Sequence, residues 1–240
     1  MGPAGPIRAM IERPMETRLI GVGIYSVPEA SRLTHVSAPT IRRWIKGYSY
    51  RVGDTERGTP PVWTRQLADI EDEVSLGFLD LIEVRLIDAF RRRGVSWPTL
   101  KRAAEHAKVL FKTTHPFATH QFFTDGRCVF TELADQDKSL IDVADNQHTF
   151  KRLLAPYLEG LEFKDGHQVI RWWPLGERHS VLIDPQRSFG QPIVEREGVP
   201  TRILASAFKI QESVDAVAKW YEVSKKAVRD ALKFEKDLAA

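Results

Sequence analysis

The residues whose types and spacing can do chemistry are concentrated at positions 35–48, which read HVSAPTIRRWIKGY. On a helix through this stretch, Ser37, Ala38, Thr40, Arg42, Arg43 and Lys46 are the exposed positions around an inward-facing Trp44. A guanidinium group pairs bidentately with guanine, and serine and threonine hydroxyls hold phosphates or base edges, so this is chemistry for DNA contact. The bland alternative is a short helix with a solvated basic face, and charge alone does not separate the two.

No enzyme site competes with it. His115 and His120 are five apart across HPFATH, where Pro116 argues against the one-faced helical pair of a zinc protease. Cys128 has no neighbouring ligand pattern and reads as a core thiol, and Asp135 and Asp137 read as solvated loop acids. No P-loop, dinucleotide-type glycine fingerprint or G-x-S-x-G elbow is present. The expectation is a protein that is not an enzyme, with no cofactor and no metal site.

The flanking elements must position the basic stretch. YSVPEASRLT offers Ser26 as N-cap, Pro28 in the first turn and Glu29 as the capping-box acid, which predicts one short helix. SAPTIRRWIKG predicts a second, with Ser37 as cap and Gly47 at its end. A strand, a loop and a strand over YSYRVGDTERGTPPVWT would then form a wing carrying Arg51 and Arg57. A long amphipathic helix follows, with Asp72 and Glu73 near its start and Arg91 to Arg93 at its end, stopped by Gly94. Another starts at Ser96.

Farther on, HQFFTDGRCVFTEL reads as a hairpin turning at Asp125-Gly126, and KSLIDV, HQVIRWWPL and SVLID read as strands. QHTFKRLLAPYLEGL reads as a helix interrupted or ended near Pro156, and GQPIVEREGVPTRIL has strand character around a glycine-containing turn. From Ser206 onward the pattern is helical.

An internal repeat ties the two ends of the chain together. ASRLTHVSAPTIRRW (30–44) aligns without gaps on VAKWYEVSKKAVRDA (217–231). Both place a small residue, Ser31 or Ala218, where two helices of a helix-turn-helix approach. Both carry a Val-Ser pair, Val36-Ser37 or Val223-Ser224, that plugs the turn and caps the second helix. Ile41 or Val228 follows five positions after the valine, with Trp44 or Ala231 a helical turn later. This closes a tri-helical core and leaves the start of the second helix open to a major groove. The turn position that usually holds glycine carries His35 or Glu222, so each copy must put a side chain at positive φ. The second copy exposes Lys225, Lys226, Arg229 and Lys233, diluted by Asp215, Glu222, Asp230, Glu235 and Asp237. DNA contact and partner binding are both open for it.

Bulk properties describe an ordinary soluble globular protein and do not by themselves settle a partner. The chain has 240 residues, 42% hydrophobic and 28% charged, with a formal charge of +3 that must be clustered to attract nucleic acid. One cysteine allows no internal disulfide, which suits a reducing compartment. No apolar run approaches a membrane span. A cytoplasmic location is expected, with no membrane role. The expected fold class is α+β and multi-domain: an N-terminal winged helix-turn-helix, a central mixed α+β module and a C-terminal tri-helical helix-turn-helix. The boundaries are a flexible arm at 1–24, the winged head and bridging helices at 25–118, the central module at 119–183, and a hairpin with helix-turn-helix at 184–240.

Two resemblances rest on these residues. YSVPEASRLTHVSAPTIRRWIKG plus its wing resembles the winged head of the MerR superfamily. The C-terminal stretch from LIDPQRSFGQPIVEREGVPTRIL onward resembles a small antitoxin domain found beside PIN-like ribonuclease toxins, through Asp184, Pro185, Gly190, Pro192, Ile193, Pro200 and Thr201. The combination is similar to a VapB-type antitoxin with an added DNA-binding head. The resemblance implies a homodimer that neutralises a PIN-domain toxin by direct binding and represses its own operon at its own operator. Ser37, Thr40, Arg42, Arg43, Lys46, Arg51, Lys225, Lys226 and Arg229 are the candidate DNA contacts. The alternative is a MerR-like ligand-responsive regulator whose effector would sit among Trp172, Trp173, Phe122 and Phe123.

Overall fold

The computed structural model describes residues 19–53, 55–124, 126, 154–164 and 168–239. Cys128, Asp135, Asp137, His148 and the strand expected at 138–143 lie outside them. The described residues mix helix and strand. Strand β1 (Tyr25–Ser26) leads into α1 (Val27–Thr34), α2 (Ala38–Lys46) and a hairpin of β2 (Tyr48–Val52) and β3 (Thr55–Thr59). Strand β4 (Ser75–Leu76) pairs antiparallel with β1, and helices α3 (Phe78–Arg92) and α4 (Trp97–Phe111) follow. Then come β5 (Leu161–Lys164), β6 (Gln168–Trp172), β7 (Val181–Leu182) and β8 (Ile193–Val194). Helices α5 (Thr201–Gln211), α6 (Val214–Trp220) and α7 (Lys225–Asp237) close the chain. No helix among the described residues is long and apolar enough to cross a membrane.

Local sequence explains most of these starts. The Ser26–Glu29 capping box forms in both directions, Glu29 N–H donating to Ser26 Oγ and Ser26 N–H to the Glu29 carboxylate. Ser96 and Ser224 cap α4 and α7 through their hydroxyls. Helix α3 departs from expectation at its start. It begins at Phe78, so Asp72 and Glu73 precede it, and Asp80 supplies the acid of the first turn. Asp72 adopts φ 61° and Glu73 pairs with Ile70 in an isolated bridge, a tight reversal that helix periodicity does not reveal.

Two other expectations change. Residues 120–124 are helical rather than the first strand of a hairpin, and they turn Phe122 into an aromatic cluster with Phe90 and Phe117. Burial of three rings favours helix over this stretch, while Asp125 and residues 127–133 of the expected hairpin lie outside the described residues. At the C-terminal side, strand structure after Gly190 is limited to β8 and a bridge from Ile193 to Pro200, and helix begins already at Thr201.

The largest hydrophobic cluster runs from Tyr25 through α3 and α4 to Phe234 of α7, and a second is built by α5, α6 and α7 around Val217, Val228 and Leu204. Two bonds tie the first helical unit to the segment before β8: Tyr25 Oη donates to Gly190 O at 2.8 Å, and Ile24 N–H to Phe189 O at 2.9 Å. Burial, with Glu29 and Asp184 adding to it, pushes the Tyr25 phenol far up, so it remains a donor. Gly190 has φ +80°, and a Cβ there would lie 2.3 Å from Tyr25 Oη. Gly190→Ala should therefore cost about 2–3 kcal/mol from left-handed strain and the clash together. A urea titration reads this directly, and a loss below about 1 kcal/mol would refute the close approach.

Helix α3 is the buried axle of the first cluster, covered on nearly every side from Phe78 to Phe90. Its Glu83 carboxylate accepts from the backbone N–H groups of Phe117 and Ala118 at 2.9 and 3.1 Å, while Oε2 has no partner among the described residues. Burial outweighs those two bonds and pushes Glu83 up from 4.5 to about 8. The folded state then keeps a proton that the unfolded chain releases. Stability should fall as pH rises from about 5 to about 8, and Glu83→Gln should flatten that slope. Urea midpoints at both ends of the range decide it: an unchanged slope in the variant assigns the dependence elsewhere.

Candidate nucleic-acid interface

Helices α1 and α2 are joined by a three-residue turn at 35–37. His35 takes φ 56° and Glu222 φ 53°, as the repeat requires. Thr34 Oγ1 donates to Ala30 O and accepts the N–H of Val36, which fixes the turn. Val36 and Val223 are buried, as are Ile41 and Val228, so each copy closes the same core. Of the small residues, Ala30 in the first copy is fully buried and Ser31 beside it is half-buried.

Helix α2 buries Ile41, Trp44 and Ile45, and Trp44 stacks on Trp97 of α4 with centroids 5.6 Å apart. Gly47 ends the helix at φ 72°, where a Cβ would meet Thr59 O at 2.2 Å. The hairpin is thereby held directly behind α2. With the inner face fixed, Arg42, Arg43 and Lys46 are all exposed.

The candidate contacts divide by environment. Arg42 forms no ion pair among the described residues, so its guanidinium is available. Lys46 lies 3.6 Å from Asp69, which Arg65 also holds at 2.8 Å. The hydrogen bond from Arg65 is the main reason the Asp69 carboxyl sits below its ordinary range. Contrary to the expected cap, the Ser37 hydroxyl takes no backbone N–H of α2, although the Ser37 carbonyl accepts Ile41 N–H at 3.0 Å. Its hydroxyl pairs with Thr40 Oγ1 at 2.7 Å, placing two hydroxyls together at the start of α2, beside the first-turn N–H groups. Such a cluster suits a phosphate oxygen. Arg51 is exposed on β2, and the backbone of Arg57 pairs opposite Tyr50 on β3.

The second copy is built alike and presents a different face. The position of Arg43 is occupied by Asp230, which is buried rather than part of the solvated rim. Asp230 accepts from Ser180 N–H at 2.8 Å and from Lys226 Nζ at 2.6 Å, and lies 2.9 Å from His179 Nδ1. Burial alone would raise this carboxyl, but the bonds from Lys226, His179 and Ser180 outweigh it and hold it at about 2. Lys226 also donates to Arg178 O at 2.8 Å, and Lys225 pairs with Asp215 at 2.9 Å. Two of its three candidate cations are thus engaged within the chain, while Arg229 is exposed.

The proposed effector aromatics are core. Phe122, Phe123, Trp172 and Trp173 are all buried, and Arg85 of α3 lies 4.0 Å over the Trp172 ring. His115 is buried 2.9 Å from Asp80, His120 packs edge-on against Phe163, and no metal-ligating cluster occurs among the described residues.

Sequence reasoning missed one organising residue, Asp80. Its carboxylate accepts from Trp63 Nε1, Gln66 N–H and Gly77 N–H at 2.7, 3.1 and 2.8 Å, and meets His115 Nε2. Val62 N–H in turn donates to Trp44 O, so the segment behind the hairpin is pinned between α2 and α3. The available signal was an acid three residues before another, Asp80 and Glu83, inside an otherwise apolar run.

The residues that resemble the antitoxin domain have local tasks. Asp184 accepts from Gln186 N–H and from Arg171 Nε at 2.9 and 3.0 Å, and the buried Thr201 hydroxyl bonds Glu235. Residues 23–104 match the family described as "Putative DNA-binding HTH domain", and residues 181–234 match "Protein of unknown function (DUF433)". Over 226 residues the chain is 27% identical to "Putative antitoxin VapB45" of Mycobacterium tuberculosis, spanning 88% of this chain and 93% of that protein. It is 25% identical over 231 residues to "Uncharacterized protein Rv2308" of the same organism, spanning 92% and 93%. The crystal structure of Rv2018 from Mycobacterium tuberculosis superposes with a TM-score of 0.69 at 25% identity, covering 89% of this chain and 99% of that one.

Proposed function

We propose that this chain is a DNA-binding antitoxin that represses its own operon and neutralises a PIN-domain ribonuclease toxin by direct contact. One observation carries the reading: a helix-turn-helix whose second helix buries Ile41, Trp44 and Ile45 and turns Arg42 and Arg43 to solvent. The similarity to a protein named as an antitoxin supports the toxin half. In this reading α2 enters the major groove, Ser37 and Thr40 take a phosphate, and the β2–β3 hairpin acts as a MerR-like wing with Arg51 toward the backbone. A cytoplasmic homodimer would present two such heads to a two-fold operator. The second helix-turn-helix is assigned to protein contact, because Lys225 and Lys226 are already paired within the chain. A MerR-like ligand-responsive regulator is the weaker reading, since its aromatic pocket residues are packed core.

Co-expression with the coding sequence beside this gene, followed by purification on this chain, tests both halves. The expected result is an equimolar small partner and a shift of the chain's own promoter that weakens steeply with salt. A chain that comes alone and still shifts the promoter removes the antitoxin assignment.

A further inference from the structure

Helices α5 and α7 pack side by side, and between them runs a surface groove of about 570 Å³. Its apolar lining includes Phe208 of α5, Leu232 of α7 and Leu238 beyond it. Four cations rim it: Arg202 and Lys209 on one wall, Lys236 on the other, and Arg32 of α1. None of the four forms an ion pair or side-chain hydrogen bond among the described residues, unlike Lys225 and Lys226 on the same module. The acid on the groove, Glu235, is engaged by Thr201. Beside the α5 wall, one position around the helix from Arg202 and Lys209, Ile203 and Ile210 are exposed, Ile210 at 84%.

We propose that the α5–α7 groove is the docking site for an acidic amphipathic helix of a partner protein. A furrow between two packed helices has the shape that a third helix fills. Its apolar lining matches the centre of a protein interface, and the unpaired cations match carboxylates flanking an apolar ridge. A phosphate backbone has no apolar ridge to bury there, which favours a protein occupant over nucleic acid. The assignment rests on the reading that this chain holds a protein partner, and it gives that partner contact residues other than those assigned to DNA.

The test uses the full chain and a fluorescein-labelled helical peptide of roughly 18 residues, about 27 Å long. Leucines at every third and fourth position are flanked by glutamates, and a twin carries lysines in their place. The acidic peptide should bind at least roughly tenfold more tightly than its twin. The double variant Arg202→Glu, Lys209→Glu should weaken it by a similar factor with its thermal midpoint unchanged. Equal binding of both peptides, no binding of the acidic one, or an unaffected variant would overturn the groove. So would a variant that keeps the peptide but loses affinity for a random DNA duplex. The co-expression experiment separates this from the antitoxin reading. A wild-type chain that brings no partner yet binds the acidic peptide through Arg202 and Lys209 loses the antitoxin assignment and keeps the groove. A partner retained equally by wild type and double variant does the reverse.

Discussion

Replacing Arg42 and Arg43 together by alanine should reduce affinity for the chain's own promoter at least thirtyfold. Each well-placed arginine contact carries roughly 1–3 kcal/mol, so losing two removes about 2–6 kcal/mol. Both side chains are exposed on the face of α2 opposite Ile41 and Ile45, so the fold should persist and the circular dichroism spectrum should not change. The salt dependence discriminates further. If the two arginines contact phosphates, the slope of log K against log salt should flatten by nearly two units. If they read bases, the slope should hold while sequence preference relaxes. A promoter affinity that stays within threefold of wild type would return α2 to the rank of a solvated basic helix.

Asp80→Ala should be the most damaging single change to stability, at about 4 kcal/mol. The carboxylate is fully buried and holds Trp63 Nε1, two backbone N–H groups and the imidazole of His115. Removing it strands several donors away from water, and each carries a desolvation penalty of roughly 1–3 kcal/mol, partly relieved by relaxation. Asp80→Asn keeps the shape but presents an amide N–H₂ to groups that themselves donate, so it should lie between alanine and wild type. Denaturant midpoints rank the three. Because Trp63 would lose its anchor, its near-ultraviolet dichroism should change in both variants. A ranking in which asparagine equals wild type would show that charge and both acceptor oxygens are dispensable there.

Local signals made much of this chain legible. Capping residues, prolines in first turns and spaced aliphatics placed α1, α2, α4 and α7, because those preferences act over three or four residues and need no distant partner. The repeat even located positive φ at His35 and Glu222, since the Val-Ser core spacing leaves the chain no other way round the turn. What failed depended on distant contacts. The first strand expected before Asp125-Gly126 gave way to helix over 120–124, where Phe122 meets Phe90 and Phe117. The same limit applies to charge. Asp230 and Lys226 look like surface residues in the string, and only the approach of the 178–180 backbone buries the Asp230 carboxylate and engages the exposed Lys226 a second time. Asp80 looks like an ordinary acid within an amphipathic helix until Trp63, Gln66 and His115 converge on it.

Sequence by itself determined that two helix-turn-helix units exist and that the first has a basic outer face, because hydrophobic period and caps are local properties of the chain. Tertiary structure decided the longer-range engagements, Lys46 beside Asp69, Lys225 with Asp215 and Lys226 with Arg178 O, and the burial of Asp230. Those engagements depend on groups brought close from farther along the chain than the i,i+4 spacing that the sequence does record.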